Sequence, residues 1–121
     1  RNGDGWYDLE YEPRTDHRWR WTGADAEIHL ESTTRTLHTT WKFLRVHSLA
    51  PRDLQVWVAG RRVATLAVGT GFSDLTVPDV TIPAGGAVLE LRTDAPLVVP
   101  PGDARPLGVQ IFGIEITVEA R

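Results

Sequence analysis

The sequence contains no cysteine, so disulfides, thiolate metal sites and cysteine nucleophiles are excluded. It contains no apolar run near the ~20 residues that a membrane-spanning helix requires. A dominant charge is missing too: 13 basic residues stand against 16 acidic ones, for a formal net charge of -3. That balance gives no general attraction for nucleic-acid phosphates or an acidic membrane surface. Neither a nucleic-acid partner nor direct membrane insertion by this chain is expected. Helical periodicity is nearly absent. The one helix-friendly stretch, Ala24 to Glu31, alternates Ile28 and Leu30 with charges, which is a strand pattern.

Patterns that carry chemistry are equally scarce. The histidines His17, His29, His38 and His47 show no paired metal-ligand spacing. Ser32, Ser48 and Ser73 lack any nucleophile-elbow context, and no glycine-rich loop joins a strand to a helix to cradle phosphate. Glu10, Glu12 and Asp16 crowd one stretch, and paired carboxylates run glycoside hydrolysis, but the sequence offers no second wall for a cleft. Asn2, Asp4 and Asp8 set oxygen ligands along the first turn of chain, readable as a calcium loop or as a polar terminal segment. No enzymatic activity, metal or cofactor is expected.

What is present is short alternating segments. The length of 121 residues suits one domain, expected to span residues 1–121. Hydrophobic residues at 41% and charged ones at 24% are ordinary for a globular chain. The first residue is Arg1, not Met, which reads as a piece of a longer protein. Leu54, Val56 and Val58 share one strand face, with Gln55 and Trp57 on the other. Gly60 then supplies a turn before a second strand over 62–68. In the strand from Thr39 to Leu49, Leu44 and Val46 point one way and Trp41, Phe43, Arg45 and His47 the other. The last strand, over 107–118, places Phe112, Ile114, Ile116 and Val118 on one face. Seven to nine such strands joined by Gly, Pro and Asp turns predict an all-β, antiparallel, jelly-roll-like β-sandwich.

Five tryptophans are the most distinctive content. Trp19 and Trp21 share a strand face and read as core. Trp57 lies opposite an already apolar face, so it points outward or covers an edge. Trp41 and Phe43 share a face with Arg45 and His47, an aromatic-to-polar gradient that suits either a binding surface or a core running out into solvent. From these residues a ligand site is expected at Trp41, Arg45, His47 and Trp57, with aromatic stacking as its main attraction.

Two stretches carry a resemblance. Gly5-Trp6-Tyr7 with Glu12, then Arg18-Trp19-Arg20-Trp21-Thr22-Gly23 and Ala26, resembles the start of a β-sandwich accessory domain of bacterial cell-envelope polysaccharide-building proteins, among them membrane glycosyltransferases. Asp103-Ala104-Arg105-Pro106-Leu107-Gly108-Val109 leading into Phe112-Gly113-Ile114-Glu115-Ile116 is similar to that domain's final strand. The resemblance implies a non-catalytic, glycan-binding role outside the cytoplasmic membrane, as part of a membrane-bound parent protein. Beside it stands a second reading, a structural or protein-interaction sandwich that docks on its parent chain or self-assembles. Within the matched motifs, Arg105 is placed to pair with Glu12 or Glu10, stapling the first segment to the last. Gly108 would admit a close neighbour, either backbone or one of the N-terminal tryptophan rings.

Overall fold

In a computed structural model, the structure describes residues 6, 10–12, 17–23, 25–30, 34–93, 97, 99, 101 and 107–119. Every strand pairing is antiparallel, and the described residues contain no helix. The strands are β1 (Glu10–Glu12), β2 (His17–Trp21), β3 (Asp25–Leu30), β4 (Leu37–Val46), β5 (Arg52–Val58), β6 (Arg61–Val68), β7 (Ser73–Ile82), β8 (Ala87–Thr93), β9 (Gln110–Ile111) and β10 (Gly113–Val118). β9 and β10 are one run interrupted at Phe112.

Two layers result. One sheet has the order β3-β8-β5-β6. The other joins β1-β2-β9 to β10-β4-β7, because Gln110 pairs with Trp21 on one side and exchanges both backbone hydrogen bonds with His47 on the other. This is the antiparallel β-sandwich that the alternating pattern predicts.

The period-2 rule explains most of the core. Leu54, Val56 and Val58 of β5 lie beside Leu89 and Leu91 of β8 and Ala26 and Ile28 of β3 on one inner face, all buried. From the opposite layer come Trp41, Phe43, Val46, Val77 and Val80. Trp57, in the outward phase of β5, is half-buried as expected. β5 and β6 are joined by the two-residue turn Ala59-Gly60, with φ of 50° and 79°. Both central residues of a type I′ turn need positive φ, which Gly60 takes without strain and Ala59 does not.

β4 departs from the strict alternation. Its pairing with β7 steps from Phe43↔Leu75 to Val46↔Ser73, so Leu44 and Arg45 together oppose Asp74. Arg45 sits at φ 50°, and its N–H donates to the Asp74 carboxylate at 2.9 Å. This β-bulge inserts one residue and shifts the phase of the strand. Trp41 and Phe43 before it face the core, and so does Val46 after it, while Arg45 is thrown out to solvent. The sequence expectation of one continuous face from Trp41 to His47 is therefore corrected.

Candidate functional site

The ends of β4 and β7's neighbours converge at one pole of the sandwich, where the connection 47–51, the turn 69–72 and the run from Leu107 to Phe112 come together. A buried polar network fixes this pole from beneath. The Ser48 hydroxyl donates to the Gly108 carbonyl at 2.9 Å and accepts from Arg52 Nε at 2.7 Å. Gly108 N–H donates to the Thr22 carbonyl at 2.7 Å, Thr22 N–H to the Val109 carbonyl at 2.9 Å, and Val109 N–H to Thr22 Oγ1 at 3.1 Å. Ser48 N–H reaches the Gly69 carbonyl at 3.0 Å, tying in the next turn. Thr22, Ser48 and Arg52 are all buried, and burial of polar groups is tolerated where hydrogen bonds replace those to water.

Gly108 is where the segments touch. A Cβ there would lie 2.5 Å from the Gly23 carbonyl oxygen and 2.6 Å from Thr22 Oγ1. The close neighbour anticipated in the sequence is thus the Thr22-Gly23 backbone, not a tryptophan ring.

Above this network lies an aromatic cluster. The His47 ring stacks on Phe72 with centroids 4.3 Å apart and planes inclined by 33°, and it meets Trp21 at 5.5 Å. Phe112 stands edge-on to Phe72 at 5.7 Å and 76°. The Arg45 guanidinium carbon lies 5.1 Å from the Phe72 centroid and 4.8 Å from that of Phe112, within cation–π range. His47 Nδ1 faces the Thr70 carbonyl at 3.3 Å. Donation there from Nδ1–H leaves Nε2 as an acceptor. Phe72 is 51% exposed, the one aromatic ring among the exposed large hydrophobics of the described residues. At the same pole a shallow depression is lined by Pro51, Arg52, Asp53, Ala67, Val68 and Gly69.

Of the four expected ligand residues, the structure brings Arg45 and His47 together and separates the other two. Trp41 has no exposed surface, and its indole N–H donates to Thr39 Oγ1 at 2.9 Å inside the core. A ring with nothing exposed cannot stack on a ligand, so Trp41 is a core residue, and the bulge beyond Phe43 turns Arg45 and His47 away from its face. Trp57 lies on the outer face of the other sheet. Arg92 covers its ring at 4.1 Å, and its indole N–H donates to Gln55 Oε1 at 3.0 Å. Arg92 is itself held by Glu90 Oε2 through Nε at 3.0 Å and Nη2 at 2.9 Å. Trp57 therefore takes part in a cross-strand stack away from the Arg45–His47 cluster.

Phe72 and Phe112 were missed as site residues. Phe72 stands alone among Gly, Thr and Ser in a turn, and that isolation is the signal the sequence held. The pairing of Glu12 with Arg105 lies outside the described residues, as do Asn2, Asp4 and Asp8. Trp21 is buried as expected, and the Trp19 side chain lies outside the described set. Among the described residues there is no cluster of three or more His, Asp or Glu placed to hold a metal ion, and no helix long and apolar enough to cross a membrane.

No family model matches this sequence, and no curated protein does. Solved structures do match in fold. A family 35 carbohydrate-binding module from Paenibacillus barcinonensis superposes with a TM-score of 0.61 at 16% identity, over 98% of this chain and 92% of that one. A family 6 carbohydrate-binding module gives 0.57 at 10% identity, over 97% and 85%. CsCBM6-3 from Clostridium stercorarium, in complex with cellobiose, gives 0.57 at 14% identity, over 94% and 86%. At these identities the likeness is one of fold, and it agrees with the sandwich read from the sequence.

Proposed function

We propose that this chain is a non-catalytic carbohydrate-binding module, and that the exposed Phe72 ring, braced by His47 and flanked by Arg45 and Phe112, is the platform on which a glycan stacks. The observation that carries the reading is Phe72 itself, half in water at a pole whose backbone is locked by the Thr22–Ser48–Arg52–Gly108 network. A pyranose presents an apolar C–H face bordered by hydroxyls. The ring matches the face, while the Arg45 guanidinium donors and His47 Nε2 match the hydroxyls. The fold is shared with modules that bind carbohydrate, one of them solved with cellobiose.

One stacked ring contributes on the order of 1 kcal/mol beyond area burial, so a short oligosaccharide binds weakly, and affinity grows by repetition or attachment. That suits an accessory domain of a larger glycan-handling protein outside the cytoplasmic membrane. The sequence resemblance points to a cell-envelope polysaccharide-building parent.

The test is a titration of the domain with bacterial and plant oligosaccharides, read by tryptophan fluorescence. Trp21 lies 5.5 Å from His47 and reports on the cluster. A saturable change with one sugar class, abolished in Phe72→Ala but kept in Trp57→Ala, is the expected result. A flat response across the panel, or one indifferent to Phe72→Ala, rejects the site.

A further inference from the structure

The four long edges of the sandwich are not equally guarded. On β7, Pro78 lacks an N–H and Asp79 bends the backbone at φ 58°. β6 carries Arg61 and Arg62 at its start, and a register shift interrupts its pairing there. On β3, the Glu27 carbonyl is already taken by the Trp6 indole N–H at 2.8 Å. Each is a recognised way of blunting an edge. β10 has only the one charge of Glu115. It runs Gly113-Ile114-Glu115-Ile116-Thr117-Val118 without proline, and among the described residues it pairs only with β4. On this side of the β9–β10 run, β2 reaches only Gln110 and Ile111, and among the described residues no strand pairs with the edge beyond.

The phase of the β10 ladder can be read from its end. Glu119 N–H donates to the His38 carbonyl at 2.7 Å. In an antiparallel pair, alternate residues turn their backbone groups to the same neighbour. Gly113, Glu115 and Thr117 therefore face β4, and the N–H and C=O groups of Ile114, Ile116 and Val118 point to the open side. Their side chains lie on the core face, because Ile114 opposes Phe43 and Ile116 opposes Trp41. Yet Ile116 is 47% and Val118 52% exposed. The core surface continues past the point where the second layer stops covering it.

We infer that β10 pairs antiparallel with β10 of a second copy of this chain, about a two-fold axis at Ile116. Centred there, Ile116 meets its own counterpart and Ile114 meets Val118, so every cross-strand pair on the inner face is apolar. On the outer face Glu115 meets Thr117 and Gly113 meets Glu119. A shift of the axis to Glu115 sets two Glu115 carboxylates opposite each other. A shift to Thr117 sets Glu115 against Glu119. Like charges directly opposed are destabilising, so charge selects the Ile116 register. The pairing is isologous and closes on itself, merging the two β10-β4-β7 sheets and consuming the least guarded of these four edges among the described residues. It involves none of the residues at the aromatic pole.

Sedimentation velocity over a wide concentration range tests this. The mass average of the parent chain is expected to approach twice the monomer, and Ile116→Lys, which opposes two cations at the axis, is expected to stay monomeric at the highest concentration. The absence of native cysteine allows a check on register. Glu115→Cys mixed with Thr117→Cys is expected to give an oxidised heterodimer in excess of either variant's own crosslink. A parent that remains monomeric throughout, a dimer unaffected by Ile116→Lys, or equal crosslinking of all combinations overturns the proposal.

Discussion

Arg52 Nε donates to the Ser48 hydroxyl across 2.7 Å with both residues buried, and the same hydroxyl donates onward to Gly108. One oxygen thus links β5, the end of β4 and the segment entering β9. Ser48→Ala removes that oxygen, taking the hydroxyl donor from the Gly108 carbonyl and one acceptor from the Arg52 guanidinium. An unsatisfied buried group costs about 1–3 kcal/mol, and more where it is charged. Chemical denaturation is expected to show a loss of at least that size, with an unchanged m-value.

Gly108→Ala strikes the same knot by volume. Its added methyl would lie 2.5 Å from a backbone oxygen that cannot swing aside. Overpacking of this type costs about 1–3 kcal/mol. A thermal melt of the variant is expected to fall several degrees below the parent. An unchanged midpoint would mean that the Thr22-Gly23 segment yields freely.

Trp41→Ala separates core from site. The indole is fully buried, so the substitution leaves a cavity and removes the donor to the Thr39 hydroxyl, which keeps its own bond to the Val80 carbonyl at 2.8 Å. Loss of a buried aromatic of this size costs about 3–5 kcal/mol. The expected signature is a large drop in the denaturation midpoint, where Phe72→Ala, at an exposed position, moves it little.

Arg45→Gly is expected to act in opposite directions on stability and binding. A non-glycine residue in the left-handed region costs about 1–2 kcal/mol, which glycine does not incur. The variant therefore keeps or gains stability while losing the cation beside Phe72 and Phe112. Denaturation and glycan titration of one preparation measure both. A destabilised variant with intact binding would contradict the assignment.

The fold was readable because its strands obey the simplest rule available. Leu54, Val56 and Val58, or Leu89 and Leu91, declare an inner face by alternation alone, and nothing in the tertiary structure overrides them. β4 was misread because alternation carries no mark for an inserted residue. Arg45 is not a glycine, so no local signal announced positive φ. The bulge at Leu44-Arg45, one of two register shifts between β4 and β7, took Arg45 and His47 off the face that Trp41 and Phe43 hold in the core. Half of the candidate site was legible in Arg45 and His47. The other half depends on contacts between the turn at Phe72 and the break at Phe112, some 40 residues apart in sequence, which no local pattern encodes. Trp57 was rightly placed outward, but its covering by Arg92 depends on the β5–β8 register.

The bulge at Arg45 also divides β4 into two segments under different constraints. Up to Phe43 every second position answers to the packing of the interior, and substitutions there are constrained by volume. From Arg45 onward only the outward positions, Arg45 and His47, answer to whatever meets the pole, while Val46 and Ser48 beside them stay buried and tied to the interior. A family built on this arrangement can alter its recognition surface over a few positions of one strand while conserving the rest. For engineering, the practical boundary of a library aimed at new ligands falls between Leu44 and Arg45.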